Sequence, residues 1–98
     1  MRIDYFTVYI LANEVNTVLY VGITNNILRR VFEHRQGFEK NAFTNKYNLK
    51  KLVYYKIFDN PDAAIKYEKK LKGITRVKKN KLITEFNPNW TDQCSNLV

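Results

Sequence analysis

The sequence predicts a small mixed α/β domain. Two observations about pattern point there: three runs rich in β-branched and aromatic residues, and three segments that combine helix caps with helical apolar spacing. A third is length, since 98 residues suffice for one core and fall short of two. Apolar residues at 45%, with seven Tyr and six Phe, supply that core and leave no signature of disorder.

Residues 6–12 (FTVYILA) and 17–22 (TVLYVG) flank the polar connection Asn13-Glu14-Val15-Asn16, the pattern of a β-hairpin. A two- or four-residue connection makes opposing positions sum to 29, which sets Tyr9 directly across from Tyr20 on one face. An odd-length loop or a bulge would break that pairing. Next, Thr24-Asn25-Asn26 offers capping side chains, and Ile27, Leu28, Val31 and Phe32 follow at helical spacing until Gly37, which predicts a helix over residues 26–35. Arg30 and His34 share a face of it. Residues 38–50 read as a polar loop, and 52–58 (LVYYKIF) as a third strand.

Asp59-Asn60-Pro61 is a helix start and Gly73 the matching stop, so a second helix is expected over 61–72 with Ala64, Ile65 and Leu71 on its apolar face. Glu68 falls on or beside that face. A third helix over Arg76–Phe86 carries Lys78, Lys79 and Lys81 around Val77, Leu82 and Ile83, and Asn87-Pro88-Asn89-Trp90 ends it.

Charge narrows the partners. The net charge is +8, and it is uneven: residues 1–49 carry six basic and four acidic side chains, residues 50–98 eleven and five. An anionic partner such as nucleic acid is expected, docking on the second half through Lys69, Lys70, Lys72, Arg76, Lys78 and Lys79. Cys94 is the single cysteine, which excludes an intrachain disulfide and a thiolate zinc site and suits a reducing, cytoplasmic setting. No apolar run approaches the ~18 residues of a membrane span, and the charged N-terminal stretch is unlike a signal peptide.

Taken singly, the candidate catalytic residues have ordinary explanations. Cross-strand tyrosines form packing ladders, Arg30 and His34 suit a solvated helix face, and Glu68 can pair with a neighbouring lysine. Together they match the needs of phosphodiester hydrolysis: a proton acceptor for water, a cation for the phosphate oxygens and a metal for the leaving oxyanion. Glu68 is an oxygen ligand of the kind Mg²⁺ uses, Arg30 can fork onto phosphate, and His34 and the tyrosines can relay protons or orient water.

Val8-Tyr9-Ile10, then Tyr20-Val21-Gly22 with the tyrosines eleven residues apart, Arg30 ten residues later, His34 in Arg-x-x-x-His and Glu68 on a later helix resemble the GIY-YIG endonucleases. YVGITNNILRRVFEH is the most similar stretch. LVYY, EKKLKGITRVKKNKLI and FNPNW resemble small stand-alone bacterial members, so the likeness covers nearly the whole chain. It implies an α+β fold with a three-stranded antiparallel sheet flanked by about three helices, and single-metal cleavage of DNA using Mg²⁺ or Mn²⁺. By the family's pattern Tyr9 accepts a proton or orients water, Tyr20 positions water and substrate, and Arg30 holds the scissile phosphate. His34 assists proton transfer and Glu68 binds the metal.

Val8 stands where the family has glycine, a change that a strand tolerates. The family's late asparagine corresponds to Asn87 or Asn89, with Asn87 preferred. The chain lacks the extra domains that give larger relatives their target choice, so structure-directed action in repair or recombination is expected, with a protein partner or RNA as further options. A nucleic-acid-binding module without cleavage is the alternative. A protein-binding domain indifferent to the lysines is the third.

Overall fold

A computed structural model describes residues 5–36 and 46–94, with the side chains of residues 34–36 outside that description. In chain order the elements are β1 (Phe6–Ala12), β2 (Leu19–Thr24), α1 (Ile27–Gln36), β3 (Lys51–Phe58), α2 (Pro61–Gly73) and α3 (Arg76–Phe86). The strands form one antiparallel sheet in the order β2-β1-β3, and the expected α+β architecture is the observed one. Most of the loop expected over residues 38–50 lies outside the described residues.

β1 is an uninterrupted apolar and hydroxyl run because it is covered on both faces, and residues 7–12 are all buried. Val8, Ile10 and Ala12 point to one face, where they meet Ala64 and Leu71 of α2 and Ile83 of α3. Tyr9 and Leu11 point to the other, against Val31 of α1, Leu49 and Leu52. The period-2 alternation of a strand thus splits one segment between two cores.

The helices start where their caps dictate. Asn26 Oδ1 accepts from Arg29 N (3.1 Å), Asn60 Oδ1 from Asp62 N (2.8 Å) and Ala63 N (3.2 Å), and Thr75 Oγ1 from Lys78 N (3.2 Å). Two expected apolar positions are corrected. Ile65 is 43% exposed and Val77 76% exposed, because the lines that face the sheet run through Ala64 and Leu71 on α2 and Ile83 on α3, with Tyr67 and Leu82 packed beside them.

The hairpin register also differs from expectation. Tyr9 pairs with Gly22 and Leu11 with Tyr20, a shift of two residues. The reason is the side chain of Asn13, whose Oδ1 accepts from Thr17 N (2.8 Å) and Val18 N (2.9 Å) while Nδ2 donates to Thr17 Oγ1 (2.8 Å). Residues 17 and 18 are thereby drawn out of the strand into a six-residue loop whose turn places Asn16 at φ 59°. Arg76 seals it from α3, donating through Nη1 to Thr17 O (3.0 Å) and Nη2 to Asn16 O (2.7 Å).

A bulge interrupts the other ladder. Ile10 pairs with Tyr54 but Leu11 with Leu52, so Val53 is the extra residue, and Val53 and Tyr54 both join the α2/α3 core. The buried Asn87 supplies a partner at that point, its Nδ2 donating to Val53 O (3.1 Å). The rest of its amide is engaged with Thr91, donating to Thr91 O (2.7 Å) and accepting from Thr91 N and Oγ1 (both 3.2 Å).

Candidate active site

The two-residue shift leaves both tyrosines on the same face, because side-chain direction in a strand repeats every two residues. Tyr9 and Tyr20 are diagonal neighbours with ring centroids 6.4 Å apart and planes tilted by 47°. Tyr9 is buried, at 2% exposure, and Tyr20 half-buried. Their rings lie over Gly22: a Cβ there would stand 2.5 Å from both Cζ and Oη of Tyr9 and 3.0 Å from Cε2 of Tyr20. Gly22 therefore makes room for the phenol of its cross-strand partner. The sequence signal was the bare glycine in an otherwise bulky strand.

β2 is an edge strand, and α1 and α2 approach each other around its end. Thr24 Oγ1 accepts from Asn26 N (3.0 Å), and the first helical bond of α1 runs from Arg30 N to Asn26 O (3.0 Å), so the caps fix where Arg30 sits. Arg30 is half-buried and lines a hollow of about 330 Å³ with Phe6, Ile23, Thr24, Asn25 and Ile65 of α2. Asn25 and Ile65 were not expected at a site. The available signal was Ile65, which falls off the line joining Ala64 to Leu71.

Glu68 lies one turn beyond Ile65 on α2. Ile65, Glu68, Lys69 and Lys72 follow at i, i+3, i+4 and i+7 and so share one flank of the helix. The Glu68 carboxylate is mostly covered, at 15% exposure, and its Oε2 pairs with Lys72 Nζ at 3.0 Å. Lys69 and Lys72 are thus on the Arg30 flank, whereas Lys70 is on the other side. On α3, Lys78 is exposed and Lys79 half-buried. Arg76 differs from its expected part in the phosphate footprint: Nε donates to Asn80 Oδ1 (2.9 Å) and both terminal nitrogens to loop carbonyls, so three donors serve the fold. His34 follows Arg30 by one turn of α1, and its side chain lies outside the described residues.

Among the described residues no group of three or more His, Cys, Asp or Glu could hold a metal ion. Glu68 is the carboxylate one turn beyond Ile65 of that hollow. One carboxylate completed by water and substrate phosphate is a donor set that Mg²⁺ or Mn²⁺ accepts and a structural zinc site does not. A carboxylate has about four lone-pair sites, and the Lys72 pair uses one oxygen.

The sequence model of the GIY-YIG catalytic domain matches residues 5–82. The chain belongs to the GIY-YIG family. Among its relatives are the UPF0213 protein of Natronomonas pharaonis, 36% identical over 85 residues that cover 87% of this chain and 96% of the relative. Another is the UPF0213 protein of Haloquadratum walsbyi, 38% identical over 82 residues, or 84% and 90% of the two chains. The solution structure of the UPF0213 protein BH0048 from Bacillus halodurans has the same fold, with a TM-score of 0.52 and 26% identity over 82% of this chain and 83% of that one. The matched span includes Tyr9, Tyr20, Arg30, His34 and Glu68 and stops short of Asn87. Among the described residues no helix is long and apolar enough to cross a membrane.

Proposed function

We propose that residues 1–98 act as one GIY-YIG endonuclease domain in the cytoplasm, hydrolysing DNA phosphodiester bonds at branched, nicked or single-stranded structures in repair or recombination. The observations that support this reading are the Tyr9 and Tyr20 rings packed over Gly22, Arg30 of α1 lining a hollow with Ile65 of α2, and the largely covered Glu68 one turn beyond Ile65.

In this mechanism Arg30 donates to the non-bridging oxygens of the scissile phosphate, and Tyr20 and the Tyr9 hydroxyl orient the attacking water. As the water oxygen bonds to phosphorus its proton passes toward Tyr9, with His34 assisting, and the bond to the leaving sugar oxygen breaks. Glu68 would hold Mg²⁺ or Mn²⁺, which supplies neutralisation of the leaving oxyanion. Lys69, Lys70, Lys72, Lys78 and Lys79 contact flanking phosphates, which gives affinity without base reading. Arg76 contributes mainly by holding the hairpin loop.

A second reading, binding without cleavage, draws on the Glu68–Lys72 ion pair, which occupies one carboxylate oxygen. Incubating branched, nicked and single-stranded DNA with Mg²⁺ or Mn²⁺ separates the two. The nuclease reading expects cleavage by the native protein and a loss on the order of a hundred- to a thousandfold in Glu68→Ala with binding retained. Binding with no cleavage under any metal or substrate would establish the second reading instead.

A further inference from the structure

The hollow beside Arg30 has a chemistry of its own. Its lining residues Phe6, Ile23 and Ile65 are apolar and incompletely buried, with Ile65 43% exposed. Two polar side chains interrupt this lining. Thr24 is buried and its hydroxyl accepts from Asn26 N, whereas the exposed Asn25 makes no side-chain hydrogen bond among the described residues. Arg30 brings a cation to the same lining, and Lys69 and Lys72 follow Ile65 by one and two turns of α2, Lys72 paired with Glu68.

We propose that this hollow receives an unpaired nucleobase adjoining the phosphate held by Arg30. The inference rests on the nuclease or nucleic-acid-binding reading and specifies its substrate as a strand with at least one unstacked nucleotide. Apolar residues flank a planar aromatic base, Phe6 offers a ring against which it stacks, and the Asn25 amide, with donors and an acceptor, pairs with the edge of any base. The phosphodiester attached to that base lies within reach of the guanidinium, so one nucleotide satisfies both parts of the site. At about 330 Å³ the hollow suits a single base and excludes a helix or a paired base stack. A base inside a duplex must leave its stack to enter, which costs a few kcal/mol and makes the hollow select flaps, nicks and single strands.

The test is equilibrium binding of single-stranded oligonucleotides, measured by fluorescence anisotropy without divalent metal so that cleavage plays no part. Each position in turn is made abasic, and the native protein is compared with Ile65→Trp, which fills the hollow from an exposed position, and with Asn25→Ala. A localised loss of about tenfold at one abasic position is expected for the native protein. Ile65→Trp should weaken binding of the intact strand by a similar factor and leave the abasic strand unchanged, and Asn25→Ala should give a smaller loss in the same pattern. A flat abasic scan, or intact and abasic strands weakened equally by Ile65→Trp, overturns the hollow as a base site. If the protein still cleaves DNA in the presence of Mg²⁺, the nuclease reading survives that failure. Absence of binding to any strand, together with absence of cleavage in Mg²⁺ or Mn²⁺, overturns both.

Discussion

Two tyrosine pairs sit on opposite faces of the same sheet, and their surroundings give them opposite chemistry. Tyr54 and Tyr67 join hydroxyl to hydroxyl at 2.6 Å on the α2/α3 side. Phe86 packs edge-on to Tyr54 at 5.1 Å, Phe58 lies 5.3 Å from Tyr67, and Lys56 Nζ stands 4.9 Å from the Tyr67 ring centroid. Burial, and then the hydrogen bond and charge of Tyr67, pushes the Tyr54 phenol well above its ordinary range. Such a group keeps its proton and serves the core. Tyr9 and Tyr20 instead lie tilted over a glycine of the edge strand, on the face that α1 covers. On the proposed mechanism, a strand tyrosine becomes structural or catalytic through what its hydroxyl meets.

Gly22→Ala should break this contrast most strongly. The added methyl displaces the Tyr9 phenol, and a displacement of about 1 Å lowers cleavage on the order of a hundredfold. Overpacking should destabilise the fold by about 1–3 kcal/mol, read from thermal melts, with the Tyr54–Tyr67 side untouched. Asn87→Ala comes next: it leaves Val53 O at the bulge without its amide partner, which costs about 1–3 kcal/mol in denaturant unfolding. Because that bulge turns Tyr54 toward α2 and α3, the second pair should loosen while cleavage per folded molecule is kept.

The smallest effect belongs to Tyr54→Phe, about 1 kcal/mol near neutrality. Its pH signature is specific. The folded protein holds the Tyr54 proton more tightly than the unfolded chain, so this contribution is whole below about pH 10, the unfolded value, and is lost as pH rises toward the raised folded value. Unfolding curves measured from pH 8 upward should show that part of the alkaline decline missing from Tyr54→Phe.

Local chemistry made the elements legible. β-branched and aromatic runs mark the strands, and Asn26, Asn60 and Thr75 announce the helices that they cap. The register was hidden because it depends on Asn13 capturing two backbone N–H groups and on Arg76 reaching across the chain to the loop. The Val53 bulge depends on packing that no local pattern encodes, whereas the outward turn of Ile65 follows from its place off the Ala64–Leu71 line. Tyr9 and Tyr20 stayed together despite the wrong register because a shift of two residues preserves the face. Spacing and family resemblance singled out Arg30 and Glu68, but the hollow that links Arg30 to α2 required the folded chain. The role of Asn87 in the fold was likewise hidden: it is enclosed, with its amide bonded to Val53 and Thr91, whereas Asn89 is exposed.

Single-turnover cleavage of a branched or single-stranded DNA with Mg²⁺ or Mn²⁺, comparing Tyr9→Phe with Tyr54→Phe, tests the division between the two pairs most directly. Tyr9→Phe should lose on the order of a hundredfold or more while melting close to the native protein, and Tyr54→Phe should cleave at the native rate. Full metal-dependent cleavage by Tyr9→Phe would contradict the account.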